Sequence, residues 1–306
     1  MAQQPGQAFE TMSLADIQAF REAMPKGFEL GGPAQPVARV EDRKIPTAEG
    51  DVPVRVYWPS TDAKLPVVFY FHGGGWVFGT PEWTDTTCRG LANVSGCAFI
   101  SVDYRCAPEH RYPAAAEDCY AVVDYVTRHA DEFGVDAGRV GVCGDSAGGN
   151  LAAVVCQMAR DRKGPKIEHQ VLVYPCVDYL DESPSMETYG GDGYFLSEAT
   201  MKWFWNKYAD ESLAKEPYVS PLHAMTLAGL PSALVVIAQC DPLADQGKKY
   251  AIALSAAGVP AVTKEYEGMI HAFLHMGGVI DAGKTVIKDI GEAIGKALHA
   301  PMAAYK

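Results

Sequence analysis

The feature that most constrains this chain is a change from a strand-like run to a helix-like run within residues 139–154, RVGVCGDSAGGNLAAV. Ser146 stands at the change, with Gly144 and Gly148 two residues to either side. Glycine is required where a Cβ would collide in a sharp strand-to-helix turn, and this spacing is that of a nucleophile elbow. Such a turn presents the serine hydroxyl at the amino end of the helix, where free N–H groups and the helix dipole favour a developing oxyanion. The segment therefore predicts a nucleophilic Ser146.

Two other interpretations of the same segment must be considered. Serine is among the preferred N-cap residues, so Ser146 is also compatible with an ordinary helix cap. Gly144 and Gly149 have the separation found in phosphate-binding loops, but Asn150 and Leu151 occupy the positions where that motif requires Lys and then Ser or Thr. Because no side chain would reach the β- and γ-phosphates, the phosphate loop is excluded, and the helix cap remains open.

Apolar runs typical of buried strands alternate with helical patterns along most of the chain. Continuous apolar runs are typical of strands covered on both faces, and their alternation with helices predicts a doubly wound parallel sheet with right-handed crossovers. Residues 37–45 and 52–58, whose polar and apolar residues alternate, predict an antiparallel hairpin at one edge. The later predicted strands are 65–71, 98–104, 139–143, 171–175, 233–238 and 261–266, and the helices are 81–95, 114–133, 148–160, a helix ending at 257, and a closing helix ending near 299.

A glycine-rich loop, His72-Gly73-Gly74-Gly75-Trp76, follows the first continuously apolar strand. Three consecutive glycines cost backbone entropy, which suggests that the loop needs positive φ angles or a close approach of main chain to a ligand. The backbone N–H groups of Gly74 and Gly75, with that of Ala147, could surround an oxyanion. A flexible turn is the competing interpretation of this loop taken by itself.

Two further loops carry the remaining groups that serine chemistry needs. Asp241 directly follows the strand 233–238, and His271 follows the strand 261–266. A serine hydroxyl requires an imidazole to accept its proton and a carboxylate to orient that imidazole, and the chain order Ser, Asp, His is the one expected of an α/β hydrolase. Asp245, one helical turn beyond Asp241, is interpreted as a helix-surface acid, and His275 as part of a helix start.

Composition excludes several other classes. A net charge of −12 argues against nucleic acid and anionic membrane as partners, because both require basic surfaces. No apolar run reaches the length of a membrane span, and the first residues lack a basic segment followed by an apolar one, so a cytoplasmic location is expected.

The eight cysteines form no Cys-x-x-Cys pair and are interpreted as reduced and structural. No metal-ligand spacing is recognised, so neither a metal nor another cofactor is expected.

Two segments are candidates for a cap over the strand ends. Residues 1–40 contain a helical pattern with apolar residues at 12, 14, 17, 20 and 24, compatible with a lid or a helix that covers the core. The second segment, about 180–225 within the remaining domain of residues 41–306, interrupts the strand and helix alternation. It includes a helix capped by Ser197 that carries Trp203-Phe204-Trp205. Trp76, Trp203 and Trp205 are expected to contact substrate.

The motifs together resemble those of the bacterial hormone-sensitive-lipase-like esterases over roughly residues 40–300. The resemblance is carried by segments 72–75, 103–105, 107–110, 144–150, 241–243 and 271–273, which are HGGG, DYR, APEH, GDSAGGN, DPL and HAF. It implies an eight-stranded, mostly parallel sheet with a helical cap. It also implies cofactor-free ester hydrolysis, with Ser146, Asp241 and His271 as the triad and Gly74, Gly75 and Ala147 as oxyanion donors. Cys106 and Ala272 depart from the family pattern, in which leucine and glycine are usual.

The sequence thus predicts a carboxylesterase acting on short-to-medium acyl esters of a small-molecule substrate. A non-catalytic receptor on the same fold and an amidase or peptidase using the same triad are the alternatives. An exposed edge on the last strand is compatible with a homodimer. The sequence identifies neither the physiological ester nor the enantioselectivity.

Overall fold

A single eight-stranded sheet forms the centre of the protein, which is represented by a computed structural model describing residues 9–23, 29–62, 64–191 and 193–299. The strand order is β1-β2-β4-β3-β5-β6-β7-β8. Strand β2 pairs antiparallel with both β1 and β4, and every other neighbouring pair is parallel. The predicted eight-stranded, mostly parallel sheet is confirmed. The strands are β1 (Arg39–Thr47), β2 (Gly50–Trp58), β3 (Leu65–Phe71), β4 (Ala98–Val102), β5 (Val135–Asp145), β6 (His169–Val173), β7 (Ser232–Cys240) and β8 (Ala261–Ile270).

Helices cover both faces of the sheet. Within the described residues they are α1 (Leu14–Ala23), α2 (Asp85–Ser95), α3 (Ala114–Arg128), α4 (Ala130–Phe133), α5 (Ala147–Asp161), α6 (Pro184–Tyr189), α7 (Glu198–Tyr208), α8 (Ala244–Ala256) and α9 (Asp281–His299). Every residue of β3 is buried. Val67 and Phe69 point to the face of the sheet that α3, α5 and α8 cover. Val68 and Tyr70 point to the opposite face, which α2 and α9 cover. This alternation is what a continuously apolar strand achieves when both of its faces are covered.

Several element boundaries differ from the sequence prediction, and hydrogen bonding or strand pairing accounts for two of these differences. The single helix predicted over 114–133 is divided into α3 and α4 at His129, whose Nδ1 lies 2.8 Å from the carbonyl oxygen of Tyr125. Strand β8 continues to Ile270, four residues beyond the predicted end at Tyr266, because a register irregularity between Ala238 and Cys240 lets Cys240 pair with Ile270. Residues 267–270, which the sequence places in the loop that carries His271, therefore belong to the strand.

The two candidate cap segments meet in the structure. Residues 180–225 lie between β6 and β7 and contain α6 and α7, while a 3-10 helix at Phe9–Thr11 precedes α1. The Phe9 ring lies 5.6 Å from that of Phe78 and 6.3 Å from that of Phe204, centroid to centroid, so the N-terminal segment packs against both α7 and the body. Residues 1–8 and Met24, part of the predicted helical pattern, lie outside the described residues.

Arg21 fastens α1 to the loops beneath it. Its guanidinium donates hydrogen bonds to the carbonyl oxygens of Val77 at 2.8 Å and Ala107 at 2.6 Å, and to Glu109 at 2.9 Å.

All eight cysteines are free, six of them buried, in keeping with the structural role expected of them. None of the described helices combines the length and apolar character that a membrane span needs.

Candidate active site

Ser146 occupies a sharp turn between β5 and α5. Its φ of 56° and ψ of −119° are unusual for a side-chain-bearing residue, and α5 starts at the next residue. A Cβ on Gly148 would collide with the carbonyl oxygen of Phe71, and one on Gly144 with the carbonyl oxygen of Gly148, so both glycines are required. The Ser146 side chain makes no capping hydrogen bond, which removes the helix-cap interpretation.

Three loops bring Ser146, His271 and Asp241 into one hydrogen-bonded row. The Nε2 atom of His271 lies 2.9 Å from Ser146 Oγ, and its Nδ1 lies 2.7 Å from Asp241 Oδ2. All three side chains are buried. Because a carboxylate only accepts, Nδ1–H donates to Asp241, which leaves Nε2 of a neutral ring to accept the Ser146 hydroxyl proton. The arrangement can activate a serine hydroxyl as a nucleophile.

The Asp241 carboxylate is itself fixed in position. Its second oxygen, Oδ1, accepts a hydrogen bond from the backbone N–H of Leu243 at 2.9 Å, just before α8 begins. Asp245 plays a different part from the surface acid expected of it. Its Oδ2 accepts a hydrogen bond from the backbone N–H of Ser185 in α6 at 3.0 Å, while Ser185 Oγ accepts one from the Asp245 N–H. Asp245 therefore joins α8 to α6.

The glycine loop is a hydrogen-bonded turn, which removes the flexible-turn interpretation. The carbonyl oxygen of Gly74 accepts hydrogen bonds from the N–H groups of Val77 at 3.1 Å and Phe78 at 2.9 Å. Gly74 and Gly75 have φ angles of 111° and 62°, in the region that favours glycine. Both line the same cavity as Ser146, and Ala147 is the first residue of α5, where backbone N–H groups have no partner within the helix.

A cavity of about 370 Å³ adjoins this group of residues. Ser146 and His271 form part of its wall, and most of the remainder is apolar, which suits a carbon chain. The apolar and aromatic lining residues are Phe9, Phe78, Trp83, Cys176, Tyr194, Phe195, Leu196, Met201, Phe204 and Ala272.

The tryptophans expected to contact substrate lie elsewhere. Trp76 is fully buried, and its ring stacks on that of Tyr208 with centroids 4.3 Å apart and an angle of 6° between planes. Trp205 packs on Trp76 at 4.3 Å, and Trp203 is also buried. Successive helix residues point about 100° apart, so only one member of the aromatic triplet faces the cavity, and that residue is Phe204.

The sequence assigns no part in the chemistry to three further residues near Ser146, which are Cys176, His72 and Ala272. Cys176, just after β6, places its Sγ 3.9 Å from Ser146 Oγ, and burial raises the pKa of its thiol. His72 is fully buried, and burial lowers its pKa to about 4. Ala272 has a φ of 67°, which explains why glycine suits this position.

His271 and His275 have the His-x-x-x-His spacing that the sequence interpretation overlooked. The structure directs them to different carboxylates, since His275 Nε2 lies 3.0 Å from Asp145 Oδ2. No cluster of three or more metal-ligating side chains occurs among residues 9–23, 29–62, 64–191 and 193–299.

Comparison with known proteins identifies the class. The model of a family described by its alpha/beta hydrolase fold matches residues 68–275. The chain is 41% identical over 261 residues to an arylesterase of Saccharolobus solfataricus, covering 84% of each chain. It is 41% identical over 255 residues to the esterase LipI of Mycobacterium tuberculosis, covering 82% of this chain and 79% of that protein.

Solved structures agree with this assignment. A hyperthermophilic esterase from the archaeon Pyrobaculum calidifontis superposes with a TM-score of 0.88 at 40% identity, covering 95% of this chain and 93% of that one. The fold and the elbow define an α/β hydrolase. The chain belongs to the hormone-sensitive-lipase-like branch of the α/β-hydrolase family, as the sequence predicted. Its curated relatives include proteins named as an esterase, an arylesterase and a carboxylic ester hydrolase, in agreement with the enzyme class expected from the sequence.

Proposed function

We propose that this protein is a serine carboxylesterase in which Ser146 is the nucleophile, His271 the general base and acid, and Asp241 the residue that orients His271. The observation that carries the proposal is the unbroken hydrogen-bonded row from Asp241 through His271 to Ser146 at the wall of an apolar cavity. The names of the relatives, which include a carboxylic ester hydrolase of Mycobacterium tuberculosis, support the same reaction class.

The reaction proceeds through an acyl-enzyme. Ser146 Oγ attacks the ester carbonyl carbon while its proton passes to His271 Nε2, and Asp241 stabilises the imidazolium that forms. The tetrahedral intermediate collapses when Nε2–H protonates the departing alcohol oxygen, leaving the acyl group on Ser146. A water molecule then attacks the acyl carbon, with His271 first accepting its proton and later returning it to Ser146 as the acid departs.

The backbone N–H groups of Gly74, Gly75 and Ala147 form the oxyanion hole in this proposal. A developing negative charge on the carbonyl oxygen is stabilised best by donors already fixed in place. The turn that holds Gly74, with its carbonyl oxygen accepting two hydrogen bonds, supports such fixation. The position of Ala147 at the amino end of α5 adds the helix dipole.

The substrate is a short-to-medium acyl ester beneath a cap formed by the N-terminal segment and residues 180–225. Phe9 from the first segment and Met201 and Phe204 from the second line the cavity. These bulky side chains limit the space to a compact acyl group of about two to eight carbons, because large aromatic rings close a pocket more readily than they line a long tunnel. Long-chain triglyceride emulsions are poor substrates on this account.

Turnover of p-nitrophenyl butyrate by wild type, Ser146→Ala and the control Ser95→Ala tests the proposal. Ser95 is a buried serine at the end of α2, remote from the cavity lining. Wild type and Ser95→Ala should hydrolyse the ester and Ser146→Ala should not. A receptor would give no turnover with any of the three proteins, and an amidase or peptidase would hydrolyse a matched anilide as well as the ester.

A further inference from the structure

Asp145, the residue directly before Ser146, accepts hydrogen bonds from three groups on two segments of the chain. Its Oδ1 accepts from the Tyr70 hydroxyl of β3 at 2.6 Å and from the backbone N–H of Gly73 at 3.1 Å. Its Oδ2 lies 3.0 Å from His275 Nε2. Burial acts to raise the pKa of Asp145, but the nearby His275 and the hydrogen bonds from His275 and Tyr70 outweigh it and hold the pKa below its usual value. The carboxylate is therefore ionised at neutral pH.

His275 is held at both ring nitrogens. While Nε2 faces Asp145, Nδ1 lies 3.0 Å from Thr87 Oγ1 on α2. A carboxylate only accepts and a hydroxyl both donates and accepts, so Nε2–H donates to Asp145 in either charge state of the ring. His275 ends the 3-10 helix Phe273–His275, which starts two residues after His271. Fixing the His275 ring thus fixes the loop that carries His271.

The contact between Asp145 and the glycine loop is equally close. A Cβ on Gly73 would collide with Asp145 Oδ2, so only glycine allows the main chain to approach the carboxylate this closely. The peptide of Gly73 precedes those of Gly74 and Gly75. Because Asp145 is also covalently next to Ser146, the Gly73 hydrogen bond sets the position of the glycine loop relative to the nucleophile.

We propose that Asp145 and His275 are positioning residues, forming a second carboxylate–imidazole pair that holds the glycine loop and the His271 loop in register with Ser146. This inference rests on the proposed esterase function. Neither residue belongs to the Asp241–His271–Ser146 row, and both act through the groups that do. The effect is exerted in the transition state, because the oxyanion donors and the base must be correctly placed only when charge develops.

The test compares two variants of His275 and one of its hydrogen-bond partner Thr87 with a matched control. His275→Leu removes the hydrogen bond to Asp145, His275→Gln keeps an N–H donor in its place, and Thr87→Val removes only the partner of Nδ1. Asp118→Asn is the control, since Asp118 is another buried carboxylate, 2% exposed and paired with Arg105 at 2.8 Å. Each protein is assayed for kcat and KM on p-nitrophenyl butyrate, for inhibition by a trifluoromethyl ketone that mimics the tetrahedral intermediate, and for stability in urea.

His275→Leu should lower kcat about 100-fold, as small displacements of catalytic groups do, and weaken inhibition by the ketone by a similar factor, with KM within about twofold. His275→Gln should recover most of this loss, and Thr87→Val should lose only severalfold. Asp118→Asn should lose stability while keeping kcat and ketone affinity. Rates are expressed per active site titrated with a phosphonate, so unfolded protein does not count.

Wild-type kcat and ketone affinity in a folded His275→Leu would overturn the proposal. So would losses in His275→Gln equal to those in His275→Leu, because the hydrogen bond would then be irrelevant. If the leucine variant does not fold, the comparison of His275→Gln with Thr87→Val decides, and wild-type rates in Thr87→Val with a 100-fold loss in His275→Gln would contradict the proposal. Failure of the esterase function itself would appear differently, as ester turnover retained by Ser146→Ala.

Discussion

Phe204 of α7 packs its ring against the backbone of Gly75, so closely that a Cβ on Gly75 would collide with the ring carbons. The wall of the cavity and the proposed oxyanion loop are therefore in direct contact. Substitution of Phe204 should change the size of the acyl group that the enzyme accepts. Substitution of Gly75 should change the rate of the chemical step.

Phe204→Leu should shift the acyl-length optimum to longer chains, because the smaller side chain opens the cavity wall. Each added methylene that finds apolar contact should raise kcat/KM by up to about fourfold, from ~0.8 kcal/mol per buried methylene. The measurement is kcat/KM across p-nitrophenyl esters from acetate to palmitate. Trp203→Leu, on the same helix but outside the cavity lining, is the control and should keep the wild-type optimum. A wild-type maximum at twelve carbons or beyond would show that the cap proposal is wrong.

Gly75→Ala should lower kcat by about 10²–10³, the cost of losing one oxyanion donor, with little change in KM. The added methyl group meets Phe204 and is disfavoured by the φ of 62°, so the loop must move. Gly258→Ala separates this effect from backbone strain alone. Gly258 has a φ of 80° and open space around its Cα, so its variant should lose stability without losing kcat. Equal kcat in the two variants would argue against an oxyanion role for Gly75.

Asp241→Asn should lower kcat by about 10⁴, because the amide favours the wrong tautomer of His271 and no longer stabilises the imidazolium. Asp245→Asn is the control, since Asp245 bonds to Ser185 and not to His271. Its kcat should remain within about twofold of wild type. Wild-type kcat in Asp241→Asn together with a large loss of kcat in Asp245→Asn would show that the wrong carboxylate has been assigned.

Acid should destabilise the fold through buried histidines. Burial lowers the pKa of His169 to about 4 from 6.5, so between these values the unfolded state binds a proton that the folded state does not. Stability therefore falls as the pH drops from 6.5 to 4, by about 3 kcal/mol from this residue at 1.36 kcal/mol per unit. His72, also lowered to about 4, acts in the same direction.

Urea unfolding at pH 7.5 and pH 4.5 checks this, with His169→Gln as the comparison because glutamine does not titrate. The variant should lose less stability than wild type between the two pH values. An identical pH dependence in both proteins would contradict the assignment.

Much of this molecule could be predicted from its sequence because the determinants are local. The alternation of apolar strands and helices predicts the sheet. The glycines on both sides of Ser146 predict the turn, because a Cβ at either position would collide with the backbone. Asp241 and His271 were placed by a general property of parallel sheets, whose strand ends share one edge. The structure brings these residues together.

What the sequence could not provide depends on contacts between distant segments. Residue type alone predicts substrate contacts for Trp76, Trp203 and Trp205. The orientation of α7 about its axis decides which of its aromatic residues faces the cavity, and that residue is Phe204. The Asp145–His275 pair joins residues 130 positions apart, so only the spacing of His271 and His275 could have drawn attention to it. The extension of β8 to Ile270 likewise depends on its pairing with Cys240.

Covalent labelling by a serine-directed phosphonate tests the central claim most directly. The wild-type protein should gain the mass of one phosphonyl group, peptide mapping should place it on Ser146, and labelling should abolish ester turnover. His271→Ala, which lacks the proposed base, should label far more slowly, and Ser146→Ala should not label at all. Labelling of a different residue, or ester turnover that persists in fully labelled protein, would contradict the account.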